Sequence, residues 1–414
     1  MPTEGTARPT RGRRFLFVVL TLAGLALLTE IAARLVVGMT RVARPRPNAL
    51  DAYEVLDASD PRLWRLRPGF SQTMDELIRS KEREGKRLAV RHYTAAMKRL
   101  DIPGDRTVLR VNQDGFRGPE LADPPRGMRL LILGDSCTFG TIEEYTYPRV
   151  LDRELPAVEV VNGGVEGYAP QQLLWRIDEY RRLGPDVTLI YIGWNALFAE
   201  RLADAPEDSR AIPRDEAAPR LQAPRLLRRA VRALWPRQTA LEAYEKTKRP
   251  ARDDPQLARL ESWEPSFMGQ LRAIVDGLAA SGSEVLLLTL PGLYASDEEP
   301  SRHALEIGHL PVFTDNPYVL ARMAERYNAA LRELAREHGL RLIDLETWSR
   351  RELRPRDRFF IDSVHLVEEG QALLGLYLAE QLRPYLATRS RRGGTDRVGA
   401  GGAAPGRSLM RNRE

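Results

Sequence analysis

The chain reads as an α/β protein built on a five-stranded parallel sheet, doubly wound into three layers. Two observations predict it. From Met128 onward, short apolar runs alternate with amphipathic stretches of helical length, the pattern of strand, crossover and next strand. The runs are short and predominantly apolar, as in strands covered on both faces. With 414 residues, 43% of them hydrophobic, there is room for one large domain and an accessory segment.

Strands are expected at 129–133, 158–161, 187–192, 284–290 and 340–345. Helices are expected at 147–155, 170–183, 266–281 and 317–338, with a last one over about 368–386. Right-handed crossovers between parallel strands then place helices on both sides. The domain would span 127–388, with an insertion at 197–258. Inside the insertion, 224–235 reads as an amphipathic helix. Leu227, Val231 and Leu234 form one face; Arg225, Arg228, Arg229 and Arg232 form the other. A packed surface helix and a lid on anionic lipid are both compatible with that pattern.

Upstream, 1–14 is a short basic tail and 15–38 is largely apolar. As a helix, 15–38 would extend about 36 Å, enough for a bilayer core. Glu30 and Arg34 interrupt it at a spacing that lets them pair. No small-x-small cleavage site follows, which favours a retained anchor over a cleaved signal. The expected location is the cytoplasmic membrane of a bacterium, with the large domain outside the cytoplasm. Residues 39–126 would be a proline-arginine linker and the accessory segment. Within the segment, 64–70 reads as strand and turn, 74–100 as helical, and 107–111 as a strand before the turn Asn112-Gln113-Asp114-Gly115.

The net charge of +6 is a property of the ends. Residues 1–14 carry +3 and the Gly- and Arg-rich tail 389–414, expected to be disordered, carries +5, leaving −2 for the rest. A nucleic-acid-binding surface is therefore not indicated. The lone cysteine, Cys137, excludes an internal disulfide, and its place beside Ser136 fits a small buried residue under a turn. The five histidines, at 92, 303, 309, 338 and 365, show no metal-binding spacing, so no metal or cofactor is expected.

Ligands of such a sheet gather at the carboxyl ends of its strands. Ser136 follows the first strand, Gly163-Gly164 the second and Asn195 the third. Near the end of the chain, Asp362-Ser363-Val364-His365 supplies an acid and a base three residues apart. A serine hydroxyl becomes a useful nucleophile only when a base removes its proton and a third group holds that base. Ser136, His365 and Asp362 are the residue types for those three roles, and Gly164 and Asn195 suit an oxyanion hole.

Four blocks in this order resemble the GDSL, or SGNH, hydrolase family, whose fold is flavodoxin-like. They are Leu131-Ile132-Leu133-Gly134-Asp135-Ser136-Cys137-Thr138-Phe139-Gly140, Val161-Asn162-Gly163-Gly164-Val165-Glu166-Gly167-Tyr168, Ile192-Gly193-Trp194-Asn195 and Asp362-Ser363-Val364-His365. The stretch Asn112-Gln113-Asp114-Gly115-Phe116-Arg117-Gly118-Pro119-Glu120 resembles membrane-anchored bacterial members. The resemblance implies Ser136 as nucleophile, His365 as base and Asp362 as its partner. It also implies an oxyanion hole from the Ser136 and Gly164 backbone N–H groups and the Asn195 amide. It departs at Ala196, where the family pattern has an aspartate. The implied activity is hydrolysis of acyl esters, acetyl foremost, on an envelope or extracellular glycan. A polysaccharide O-acetyltransferase with the same triad, a lipid acyl hydrolase and a non-catalytic glycan-binding protein stay open as alternatives.

Overall fold

A computed structural model describes residues 20–22, 24–32, 52–57, 60–83, 86–200 and 246–399. The chain divides into two compact units, Met1–Asp51 with Arg210–Thr239 and Ala52–Ser209 with Ala240–Glu414. In the first unit the described residues are helical. Among the described residues no helix is long and apolar enough to cross a membrane. The two ends of the expected span 15–38, and the expected helix 224–235, lie outside them.

The second unit begins with two antiparallel strand pairs. β1 (Tyr53–Asp57) pairs with β2 (Asp60–Leu66), and β3 (Ser71–Thr73) with β4 (Thr107–Arg110). Between β3 and β4 the expected helical stretch is two helices, Met74–Arg83 and Arg87–Arg99. They enclose a small core of their own, Met74, Leu77, Tyr93, Ala96, Ile102 and Val108, which Ile142 joins from beyond the first strand of the large sheet.

That sheet is β5 (Met128–Gly134), β6 (Val158–Gly164), β7 (Val187–Tyr191), β8 (Glu284–Leu288) and β9 (Arg341–Ile343), parallel throughout, in the order β6-β5-β7-β8-β9. All five expected strands are present, the last three shorter than read. Leu130, Leu131, Ile132 and Leu133 are wholly inaccessible, and every residue of β6 and β7 is buried. Burial of each such leucine or isoleucine stabilises by about 1.5–3 kcal/mol, which explains the unbroken apolar run of β5. Two groups of helices cover the sheet: Tyr147–Glu154 with Glu368–Gly399, and Pro170–Trp175 and Ile177–Arg182 with Met268–Ala280. Pro317–Glu337 packs on β9 and begins at a cap where Asn316 accepts the Tyr318 N–H at 3.0 Å.

Two helices differ from expectation. The stretch 170–183 is broken at Arg176, whose buried guanidinium donates to the Tyr168 hydroxyl at 3.0 Å and to Glu179 at 2.5 and 2.9 Å. The last helix continues to Gly399 instead of giving way to a disordered tail at 389. Extending a helix already anchored by Leu374, Leu378 and Leu382 needs no new nucleus. Residues 400–414 lie outside the described residues.

Candidate active site

The register of the sheet brings three loop starts together, because Gly134 is paired with Gly164 on one side and Tyr191 on the other. After Gly134 the chain turns into the short helix Ser136–Phe139. Asp135 caps it, its side chain accepting the Cys137 N–H at 2.9 Å. A Cβ on Gly164 would lie 2.2 Å from the Phe139 nitrogen, so glycine is what lets β6 lie against this turn.

The second half of the site is a closed loop after the helix Arg356–Phe359. Ile361 N–H donates to the His365 carbonyl at 2.8 Å and Val367 N–H to Phe359 at 2.9 Å. Inside it, Asp362 accepts the backbone N–H groups of Val364 and His365, both at 2.9 Å. His365 Nδ1 lies 2.8 and 3.0 Å from the two Asp362 oxygens, and Nε2 lies 2.7 Å from Ser136 Oγ. With Nδ1–H donating to the carboxylate, Nε2 is left to accept the serine proton. Ser136, His365 and Asp362, 229 residues apart at the extremes of sequence, thus form one continuous chain of hydrogen bonds.

Electrostatics grade the groups. Burial would push the Asp362 carboxyl up, but His365, His309 and the backbone N–H groups hold it far below the usual carboxylate range. Burial lowers the basicity of His365, and the adjacent Asp362 outweighs it, so the imidazole is raised above its ordinary 6.5. Asp135, buried with one backbone donor, is pushed up to about 6. Burial lowers His309, 3.9 Å from Asp362 and stacked on Phe198, to about 4. Burial raises the Cys137 thiol well above its usual value, as suits a packing residue.

The two further expected residues fare differently. Asn195 sits in the helix Trp194–Ala199, and its amide donates to the Tyr168 carbonyl at 2.9 Å. The second amide hydrogen remains for a ligand. Ala196 is buried in the core, so where the family pattern has an aspartate, this chain orients Asn195 through Tyr168. Gly164 departs from the expected role: its N–H donates to Asn162 Oδ1 at 3.0 Å. The position requires glycine for packing.

The accessory segment completes the site. Tyr53 donates to Glu166 at 2.7 Å, and Trp64 to the Glu166 carbonyl at 3.2 Å, bracing the turn after β6. His92 and Arg99 grip the buried Glu368 at 2.9 and 2.6 Å. Over Ser136 and His365 lies a cavity of about 140 Å³, bordered also by Gly140, Thr141, Ile361 and Leu366. Lys81, Lys86, Leu88, Ala89, His92 and Tyr93 close it from the accessory side. Arg117, buried on the face of Phe139, donates to the carbonyls of Phe139, Gly140 (2.9 Å) and Thr141 (2.5 Å), the rim just after Ser136. The motif containing Arg117 was visible in the sequence; its contact with this rim was not.

Residues 132–373 match the model of the GDSL-like lipase/acylhydrolase family. The chain belongs to this family. It is accordingly a serine hydrolase of the GDSL type, an enzyme acting on carboxylic esters. No curated protein matches it. Solved structures similar to it include a lipase/acylhydrolase from Enterococcus faecalis, 18% identical over 62% of this chain and 96% of that one, with a TM-score of 0.35. A member of the lipolytic G-D-S-L family from Veillonella parvula is 14% identical over 62% and 98%, TM-score 0.35. A psychrotrophic esterase from Pseudoalteromonas sp. is 14% identical over 63% and 98%, TM-score 0.33.

Proposed function

We propose that this GDSL hydrolase removes short acyl groups, acetyl foremost, from a glycan, with Ser136 as nucleophile, His365 as general base and Asp362 as its anchor. The observation that carries the reading is the hydrogen-bonded chain Ser136–His365–Asp362 beneath the cavity. Ser136 attacks the ester carbonyl as its proton moves to His365. Collapse of the tetrahedral intermediate returns that proton to the leaving alcohol. Water activated by the same imidazole then releases the acid. The oxyanion is received by the Ser136 N–H, the Asn195 amide and Gly167. The last, at φ 80° in the turn after β6, replaces Gly164 because the Gly164 N–H already has Asn162 as its acceptor. A cavity of about 140 Å³ is small beside the roughly 300–1,000 Å³ that hold drug-sized ligands, which favours a short acyl group over a fatty chain.

In this reading the apolar stretch 15–38 tethers the enzyme to a bacterial membrane with its site outside the cytoplasm. Loss of membrane association on deleting residues 1–38 is the expected result of fractionation.

The catalytic reading is tested by fluorophosphonate labelling of the full chain beside Ser136→Ala, with acetate release from an acetylated oligosaccharide measured in parallel. Labelling and acetate release by the wild type alone are expected. A wild type that binds glycan but does neither would make it a binding protein. Acetyl transfer to an added sugar in place of acetate release would make it a transferase.

A further inference from the structure

We infer that the accessory strand pair β1–β2 sets the oxyanion hole, with Trp64 and Tyr168 as positioning residues that act through the Asn195 amide. This rests on the oxyanion reading above and deepens it. A donor helps the transition state only when it is already aimed at the place where charge develops. An asparagine amide turns about its side-chain bonds, so something must fix its plane. The bond from Asn195 Nδ2 to the Tyr168 carbonyl, at 2.9 Å, does so. With one amide hydrogen committed there, the direction of the other follows. Where the Tyr168 carbonyl lies therefore decides where Asn195 points.

Tyr168 belongs to the turn after β6, and the backbone bonds of that turn are long. Val165 N–H reaches the Gly134 carbonyl at 3.2 Å, and Tyr168 N–H the Val165 carbonyl at 3.3 Å. The side chain is held more firmly. It is wholly buried, and its hydroxyl donates to the Trp64 carbonyl in β2 and accepts from Arg176 Nη1 at 3.0 Å. The Trp64 indole meets the tyrosine ring edge to face, centroids 5.4 Å apart and planes at 74°. The same indole donates to the Glu166 carbonyl at 3.2 Å, two residues before Tyr168.

A tyrosine buried for packing is satisfied by one partner for its hydroxyl. This one has two, and one of them is 104 residues earlier in the chain, in a strand upstream of the family match at 132–373. Ala196, where the family pattern has an aspartate, is buried and offers no carboxylate to this loop. The accessory strand pair takes over that support from the opposite side, through Trp64, the Tyr168 ring and the Tyr168 carbonyl. A misplacement of about 1 Å in a catalytic group costs up to about 10²-fold in rate, so a slack clamp would be felt in turnover before it was felt in binding.

The test is a double-mutant cycle on the full chain, with kcat and KM for 4-nitrophenyl acetate read separately. Tyr168→Phe keeps the ring and the backbone carbonyl but loses both hydroxyl bonds. It should lower kcat about tenfold and leave KM unchanged. Trp64→Ala, which leaves the Arg176–Tyr168 bond in place, should act in the same direction by about fivefold, and Trp64→Phe should recover part of the loss. In an Asn195→Ala background, either substitution should lower kcat by no more than about twofold, because the amide through which it acts is gone. The same full loss with and without Asn195 would overturn the inference, since both residues would then act on the fold at large. Wild-type kcat in Tyr168→Phe and Trp64→Ala would also overturn it and leave the esterase standing. Wild-type kcat in Asn195→Ala would remove Asn195 from the oxyanion hole, and this inference with it, while the triad remained. Absence of turnover by the wild type, with no fluorophosphonate labelling, overturns the esterase reading and this one together.

Discussion

The turn after Gly134 and the loop around His365 each bury a carboxyl at the same site, and the pKa values of the two move in opposite directions. Asp135 is 1% exposed and Asp362 is 4% exposed. Burial works to protonate both. Asp135 accepts the Cys137 N–H, is lowered by the charge of His365 without a bond to it, and is still raised to about 6; Asp362 accepts two backbone N–H groups and the His365 imidazole and is driven far below its ordinary value. Partners decide the sign once burial is equal. The loop around His365 is therefore organised around a permanent charge, whereas the turn after Gly134 uses its carboxyl as a cap.

The comparison breaks most visibly at Asp362. Asp362→Asn should keep the loop, since an amide oxygen can still accept the two N–H groups, but lower kcat/KM by about 10⁴-fold because the imidazole loses its tautomer. Activity needs neutral His365, and Asp362 raises its pKa. The acid limb of kcat/KM in the wild type should thus lie above pH 6.5 and activity should fall as pH drops through it. In Asp362→Asn the limb should move down. An unmoved limb would mean that another group controls the profile.

Asn195→Ala should reduce kcat by about 10²–10³-fold with little change in KM, as expected for a donor engaged mainly in the transition state. A rise in KM alone would make Asn195 a ground-state contact instead.

The smallest effect, on stability, sharpens the contrast. The folded-state pKa of Asp135, about 6, lies above the ordinary 3.8. The native state therefore keeps a proton that the unfolded chain has lost. Stability from this group is greatest below that ordinary value and declines as pH rises through the folded one, by about 3 kcal/mol in all. Asp135→Asn, which can still cap Cys137, should match the wild type in urea midpoint near pH 4 and exceed it near pH 7. Parallel losses at both pH values would show that the carboxyl is not carrying this titration.

Much of this was legible because the relevant signals are local. Predominantly apolar runs mark strands covered on both faces, Ser136 and Asn195 follow strands that this pattern gives away, and the Asp362–His365 pair is marked by its own spacing. Gly164 was misread because its requirement for glycine was visible but not its cause. That cause is a close approach to Phe139, and its N–H belongs to Asn162. The break at Arg176 depends on a hydroxyl eight residues away in sequence, which periodicity cannot register.

By itself, the sequence determined the five-stranded sheet, its family and the three side chains that the fold links by hydrogen bonds, Ser136, His365 and Asp362, since periodicity and short motifs act over a few residues. Only the tertiary structure decided which backbone donors are already engaged, which way the pKa of each buried carboxyl moves, and that Lys81, Lys86 and His92 border one cavity with Ser136. Those outcomes depend on which groups the fold brings together and how far it strips them of water, and there distance and desolvation, not sequence spacing, set the energy.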